Sequence, residues 1–264
     1  MSCAPMPAEG RGADVTEDLV LGGALRLRQP GRGHRVGHDA ILLAAACPAR
    51  AGEHLVELGA GVGAAGLAVA ARVADLAVTL VEIDPELAAL AAQNAALNGL
   101  AARVRSVHLD VAAPGRAFAT AGLASDSVAR VMMNPPFNDP ALQRVSPDRR
   151  RRLAHVAPRE ILPAWVATAA RLLRPRGTLT LIWRADGLAA VISALDRAFG
   201  AMMILPIYPQ AEEPAVRILV RATKASRAPL AIVPGLVLND AARHPTPEAE
   251  AVLRGGATLT LART

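Results

Sequence analysis

From Glu53 onward, short and almost wholly apolar runs alternate with longer segments in which Ala, Leu and Val recur at helical spacing. The runs EHLVEL (53–58), LAVTLVEI (76–83), RVRSVHLDV (103–111), VARVMM (128–133) and TLTLIW (178–183) predict strands, with two more near 202–208 and 214–222. Between them, 62–73, 85–99, a stretch inside 158–177 and 187–200 predict helices. Pro85 in the first turn and Gly99 just past the end punctuate the second of these helices. Strands joined by helices of this length imply a parallel sheet covered on both faces. Strands that are apolar on both sides agree with that α/β class.

The flanks read differently. Residues 18–36 alternate apolar and polar positions on both sides of turn residues, which predicts an antiparallel β segment. HDAILLAAAC (38–47) predicts a short helix capped by Asp39 and stopped by Pro48. Residues 1–16 are small and polar with Pro and Gly, and predict disorder. The chain therefore divides into a tail (1–16), a β segment and helix (17–50) that pack on a main domain (51–223), and an extension of that domain (224–264). In the extension, 228–238 can add a strand, and 246–256 predicts a helix capped by Thr246, opened by Pro247 and stopped by Gly255.

Composition narrows the picture. Hydrophobic residues make up 52% and aromatic residues only 2%, so the core is built from Leu, Val, Ile and Ala. Net charge is +6, and because Lys224 is the only lysine the excess is arginine. Codon bias in a GC-rich genome produces that pattern, and so does selection for a polyanion-binding surface; a basic domain attracts nucleic acid in either case. Cys3 and Cys47 have neither metal-site spacing nor the number that a disulfide framework needs, which fits a reducing cytosol. No metal site is expected. The N-terminus lacks the apolar centre of a signal peptide, and the most apolar window, 58–71, is too short to span a bilayer. A soluble cytoplasmic protein is expected.

The loop VELGAGVG (56–63) closes the first strand of the alternation and opens the first helix. Glycines there let the backbone turn sharply and approach a ligand closely. The helix N-terminus adds free N–H groups and a positive dipole end. The ligand stays open at this point. GVGAAG (61–66) fits the dinucleotide pattern, whereas ELGAGVG (57–63) fits that of S-adenosylmethionine (SAM) sites, with an acid two places before the first glycine. Glu82, ending the second strand, is placed for ribose hydroxyls, which both cofactors carry. Asp84 suits the cap of the helix that begins at Pro85, and Asp110, with Val111 behind it, is placed to meet an adenine edge.

NPPF (134–137) follows the fourth strand, and ligands of open α/β sheets bind at the carboxyl ends of strands. At this composition, chance yields an N-P-P-aromatic run on the order of 0.001 times per chain. The residues suit methyl transfer to an sp² amino nitrogen, whose lone pair is delocalised. The Asn134 side-chain oxygen and the Pro135 carbonyl are two acceptors for its N–H groups. Pro135 and Pro136 stiffen the turn, and Phe137 offers a flat face to a planar base. Catalysis of this kind is mostly positioning.

ELGAGVG, VEID (81–84) and NPPF, in this order and spacing, resemble the class I SAM-dependent methyltransferases that modify amino groups. RVGHDAILLA (35–44) together with NPPFNDP (134–140) resembles the bacterial tRNA1(Val) adenine-N6 methyltransferase group. The resemblance covers roughly 18–222. It implies a Rossmann-like, seven-stranded, mostly parallel sheet with helices on both faces. It implies SAM held by Glu57, Gly59, Ala60, Gly61, Gly63, Glu82, Ile83, Asp110, Val111 and Asn134. Adenine would be methylated at Asn134, Pro135, Pro136 and Phe137. Such enzymes often carry Tyr where Phe137 stands, and stacking does not need the hydroxyl.

The same motif serves glutamine methyltransferases acting on release factors and DNA adenine methyltransferases. The former resemble proteins with a helical substrate domain ahead of the glycine loop; here 56 residues precede Glu57 and part of them reads as β. The latter carry a large recognition domain for which this chain has no room. RNA, with tRNA foremost, is thus the expected partner, and protein glutamine the alternative. Arg26, Arg28, Arg32 and Arg35 in the β segment and the run Arg149, Arg150, Arg151 and Arg152 are candidate phosphate contacts.

Overall fold

The alternation that begins at Glu53 folds into one central sheet with helices on both faces. The computed structural model describes residues 15–31, 35–136 and 158–263. β1 (Val15–Val20) and β2 (Leu25–Pro30) form a hairpin, followed by α1 (His38–Ala46). Then come β3 (His54–Leu58), α2 (Ala64–Arg72), β4 (Ala77–Glu82), α3 (Pro85–Leu97), β5 (Val104–His108), α4 (Gly115–Thr120) and β6 (Val128–Met133). The chain continues through α5 (Pro158–Leu172), β7 (Leu173–Arg184), α6 (Leu188–Leu195), β8 (Phe199–Tyr208) and β9 (Arg217–Lys224). It ends with β10 (Ala231–Ile232), β11 (Leu236–Val237) and α7 (Pro247–Leu253).

The sheet order is β10-β8-β9-β7-β6-β3-β4-β5, with β11 also on β8. Neighbours from β5 to β7 are parallel, and β9 runs antiparallel to both β7 and β8. This is the Rossmann-like arrangement expected, and the two short strands β10 and β11 extend the seven-stranded sheet to nine. From β3 the chain moves outward through β4 to β5, then returns to place β6 on the other side of β3. In open α/β sheets such a reversal is where ligands bind, here outside the carboxyl ends of β3 and β6.

Strand residues alternate between two apolar clusters. Leu55, Val78, Leu80 and Ile182 pack with α1, α2 and α3 on one face. Val56, Leu58, Val81, Val131, Met133 and Leu181 pack with α4, α5 and α6 on the other. Each fully buried Leu or Val contributes about 1.5–3 kcal/mol, so many aliphatics offset the scarcity of aromatic rings.

Two local expectations are corrected, and one element is added. β1 begins at Val15, so Val15 and Thr16 belong to the hairpin, opposite Pro30 and Gln29, and not to the tail. Asp39 does not cap α1: the cap position is Gly37, and Asp39, already inside the first turn, accepts a bond from Arg217 Nε at 3.0 Å. α4 was not predicted; its six residues are too few for a periodic signal. Asp84 and Thr246 do cap α3 and α7, the former accepting from Glu86 and Leu87 N–H, the latter from Ala249 N–H.

The hairpin is fastened to the main domain by Asn94 of α3 and by Asn98, the residue that caps the end of α3. Asn94 accepts from Arg28 N–H at 2.7 Å and donates to the Arg28 and Val62 carbonyls, both at 3.0 Å. Asn98, one turn on, exchanges the same kind of bonds with Arg26 at 2.9 and 2.7 Å. Amide side chains here take the part of a neighbouring strand. The C-terminal extension closes over α1, where Leu259 N–H donates to the Ala45 carbonyl.

Candidate active site at the carboxyl edge of the sheet

Leu58 lies opposite Val81 on one side and Met133 on the other, so Gly59, Glu82 and Asn134 leave three adjacent strands at one level. The glycine loop is drawn against β4, where Gly59 and Ala60 N–H groups both donate to the Val81 carbonyl at 2.9 Å. Its three glycines have positive φ, and their surroundings differ. A Cβ on Gly63 would meet Leu80 Cδ1 at 2.8 Å, so that position serves helix-on-sheet packing. A Cβ on Gly59 would collide with the indole of Trp165, 2.8 Å from Cζ3. A Cβ on Gly61 would meet nothing within 4 Å. Of the three, Gly61 is the one beside open space, where a ligand can approach the backbone.

The acids sort themselves by burial. Glu82 is 2% exposed; its Oε2 accepts from Gly61 N–H at 2.7 Å and its Oε1 from Asp84 N–H at 2.9 Å. It thereby holds the loop at its open point, and each carboxylate oxygen keeps a lone pair for a further donor. Glu57 faces inward and accepts from Gly66 N–H at 2.7 Å in the first turn of α2. Burial pushes its carboxyl up to about 8, against the pull of that hydrogen bond and with the push of the Glu82 charge. Asp110 is exposed and accepts from Ala112 N–H at 2.8 Å, which shapes the turn after β5. Val111 behind it is buried, and half-buried Ile83 follows Glu82.

Asn134 and Pro135 emerge from β6 beside this loop. The Asn134 Oδ1 is enclosed and has no hydrogen-bond partner among the described residues. A buried acceptor left unpaired costs about 1–3 kcal/mol, and the described residues leave this oxygen's acceptor capacity unused at the strand end. Pro135 is buried and Pro136 half-buried. Phe137 lies outside the described residues, as do Arg32, Arg149, Arg150, Arg151 and Arg152.

The structure adds residues that motif reading missed. On α5 the Thr168 hydroxyl donates to the Val111 carbonyl at 2.9 Å, and the Arg171 guanidinium stands 5.0 Å over the Phe118 ring. One helix thus contacts both the glycine loop and the loop after β5. The available signal was Trp165 itself, one of two tryptophans in an aromatic-poor chain. The candidate phosphate contacts of the hairpin are already paired: Arg26 and Arg28 with Glu17 at 2.6 and 3.4 Å, Arg35 with Asp18 at 2.6 Å. Cys47 is free and buried, no metal-binding cluster occurs among the described residues, and no helix among them is long and apolar enough to cross a membrane.

The methyltransferase small domain family matches residues 34–207. A tRNA1(Val) (adenine(37)-N6)-methyltransferase of Porphyromonas gingivalis is 32% identical over 164 residues, 61% of this chain and 62% of that protein. A release factor glutamine methyltransferase of Chlorobaculum tepidum is 28% identical over 160 residues, 58% of this chain and 53% of that protein. The crystal structure of a predicted O-methyltransferase from Agrobacterium tumefaciens is 33% identical, covers 84% of this chain and 98% of its own, and superposes with a TM-score of 0.71. The chain thus spans 62% of the length of the first of these curated relatives.

Proposed function

The chain belongs to the methyltransferase small domain family, and from that membership we propose that it transfers a methyl group from SAM to the exocyclic amino nitrogen of adenine in RNA, tRNA being the substrate class. The observation that carries this reading is the enclosed Asn134 Oδ1, unpartnered among the described residues and one strand away from the glycine loop. The similarity to a tRNA1(Val) (adenine(37)-N6)-methyltransferase supports the choice of acceptor.

The residues present fit the cofactor. Gly61 borders open space, and the Glu82 carboxylate that holds its N–H retains acceptor capacity for ribose hydroxyls. Asp110 and Val111 form the turn at the next strand end, on the side away from Asn134. SAM bound along this edge supplies the electrophilic methyl group.

Asn134 Oδ1 and the Pro135 carbonyl accept the two N–H groups of the acceptor and turn its lone pair out of the ring plane. The stiff Pro-Pro turn fixes both oxygens before the acceptor arrives, so little ordering remains for the reaction itself. As the nitrogen pyramidalises, its N–H groups become more acidic and both bonds strengthen, which favours the transition state over the ground state. Transfer to a hydroxyl oxygen needs a base to remove the proton, and this motif supplies neutral acceptors only. That argues for nitrogen over oxygen as the acceptor atom. Protein glutamine presents the same planar amino group, and the release-factor relative keeps it as the second reading.

The test is incubation with methyl-labelled SAM, RNA from a strain lacking the gene, and release factors. Label in adenine of small RNA is expected, and Asn134→Ala should lower turnover about 100-fold with little change in SAM affinity. Label in protein alone, or an unimpaired Asn134→Ala variant, overturns the reading.

A further inference from the structure

Aromatic residues are 2% of this chain, and both of its tryptophans stand at the carboxyl edge of the sheet, one on each side of Asn134. Leu58 of β3, Met133 of β6 and Leu181 of β7 are paired across adjacent strands, so Gly59, Asn134 and Ile182 follow at one level. Trp165, from α5, rests its six-membered ring on Gly59. Trp183 lies on β7 one residue past that level, on the same sheet face as Leu179 and Leu181, with its five-membered ring against Gly187. Both indoles pack against the apolar cluster of that face, yet each stays only half-buried.

Full burial would gain more from the largest apolar side chains of an aliphatic core. Keeping both partly open beside an enclosed acceptor that no described residue engages is what a binding cleft requires. The indole of Trp165 is also held in place. One turn further along α5, Thr168 is bonded to Val111 after β5, so the helix is anchored to one loop while Trp165 touches another. On the other side of Asn134, β7 is an interior strand paired with both β6 and β9, a rigid support for Trp183.

We propose that the two tryptophans are ligand-contacting walls of the cleft: Trp165 against the cofactor beside the glycine loop, Trp183 against the planar acceptor held at Asn134. The inference rests on the methyltransferase reading above and sharpens it. A flat indole gains stacking only from a flat partner, so Trp183 selects an aromatic nucleobase over a flexible amide side chain.

Trp183→Phe leaves Trp165 as the single emitter, and Trp165→Phe leaves Trp183. Each variant is titrated with S-adenosylhomocysteine, then, at saturation, with AMP or a Gly-Gly-Gln peptide, with calorimetry in parallel. S-adenosylhomocysteine should shift Trp165 emission with the Kd that calorimetry gives. AMP should quench Trp183, the peptide should leave it unchanged, and Trp183→Ala should weaken AMP binding about tenfold without altering S-adenosylhomocysteine affinity. Cofactor uptake with silent Trp165 overturns the first wall. A Trp183 that AMP does not quench, or that the peptide does, overturns the second. If a Phe variant fails to fold, the unmodified protein decides, since its emission carries both rings and must change with each ligand. Calorimetry that detects no S-adenosylhomocysteine uptake defeats the functional reading itself, and this inference with it.

Discussion

At the residue scale, one motif hides several physical tasks. Gly59, Gly61 and Gly63 share a positive φ, yet one makes room for an indole, one borders open space and one lets α2 settle on Leu80. Spacing in the sequence identified the loop but could not assign these tasks, because each depends on a side chain distant in the chain. Glu57 makes the same point. Its place before the glycines suggested a cofactor contact, while the structure turns it inward onto Gly66. Burial raises its carboxyl from the ordinary 4.5 to about 8. Between those values the folded chain keeps a proton that the unfolded chain has released, so folding stability must fall as pH rises through that window and level off above it. Below the lower value both states are protonated and no loss occurs. Glu57→Gln keeps an oxygen for the Gly66 N–H and has nothing to titrate. Urea unfolding from pH 5 to 8 should therefore show the parent losing stability relative to the variant, by on the order of a few kcal/mol. Parallel pH profiles for the two proteins would show that Glu57 does not titrate in this way.

At the element scale, periodicity was legible wherever an element was long or fully apolar. β6 spans the residues that VARVMM predicts, and α3 runs from Pro85 to the turn at Gly99. It failed where an element is too short to carry a period, as in α4, and the single strand expected within 228–238 appears as two short ones, β10 and β11. It also gave no notice of how the hairpin docks, although the signal is present: two asparagines four apart, one in the last turns and one at the end of an otherwise Ala- and Leu-rich helix. Asn is a poor helix former, and i, i+4 spacing puts both on one face, where here they grip the β2 backbone. Asn94 is fully buried and makes three such bonds, so Asn94→Ala strands two carbonyls and an N–H. The expected cost is about 3 kcal/mol, against about 1 kcal/mol for half-buried Asn98→Ala, where water replaces the lost partners. Denaturant titration of both variants checks the ordering, and equal losses would mean that the hairpin is held chiefly by its apolar face.

At the scale of the whole molecule, strand order and charge are the properties least visible in local pattern. β3 neighbours β6, more than 70 residues away in the chain, and beforehand the glycine loop was connected with NPPF by the general rule for open α/β sheets and by resemblance, not by local pattern. Charge needs the fold as well. The net +6 suggested a polyanion-binding face, with the hairpin arginines among its candidates. The structure pairs Arg26 and Arg28 with Glu17 and Arg35 with Asp18, so much of the hairpin's positive charge is answered by its own acids. An RNA phosphate arriving there must compete with a carboxylate already in place. The run 149–152 carries four arginines with no acid among them, between NPPF and α5 in the sequence. If RNA is held mainly by phosphate contacts, affinity must fall with salt in proportion to the number of contacts, by roughly 0.7–0.9 in the log–log slope for each. Replacing Arg149, Arg150, Arg151 and Arg152 together by Ser should flatten that slope in filter-binding titrations and weaken RNA binding. The pair Arg26→Ala and Arg28→Ala should leave the slope nearly unchanged. The reverse pattern would move the RNA path to the hairpin and show that its ion pairs open when the substrate binds.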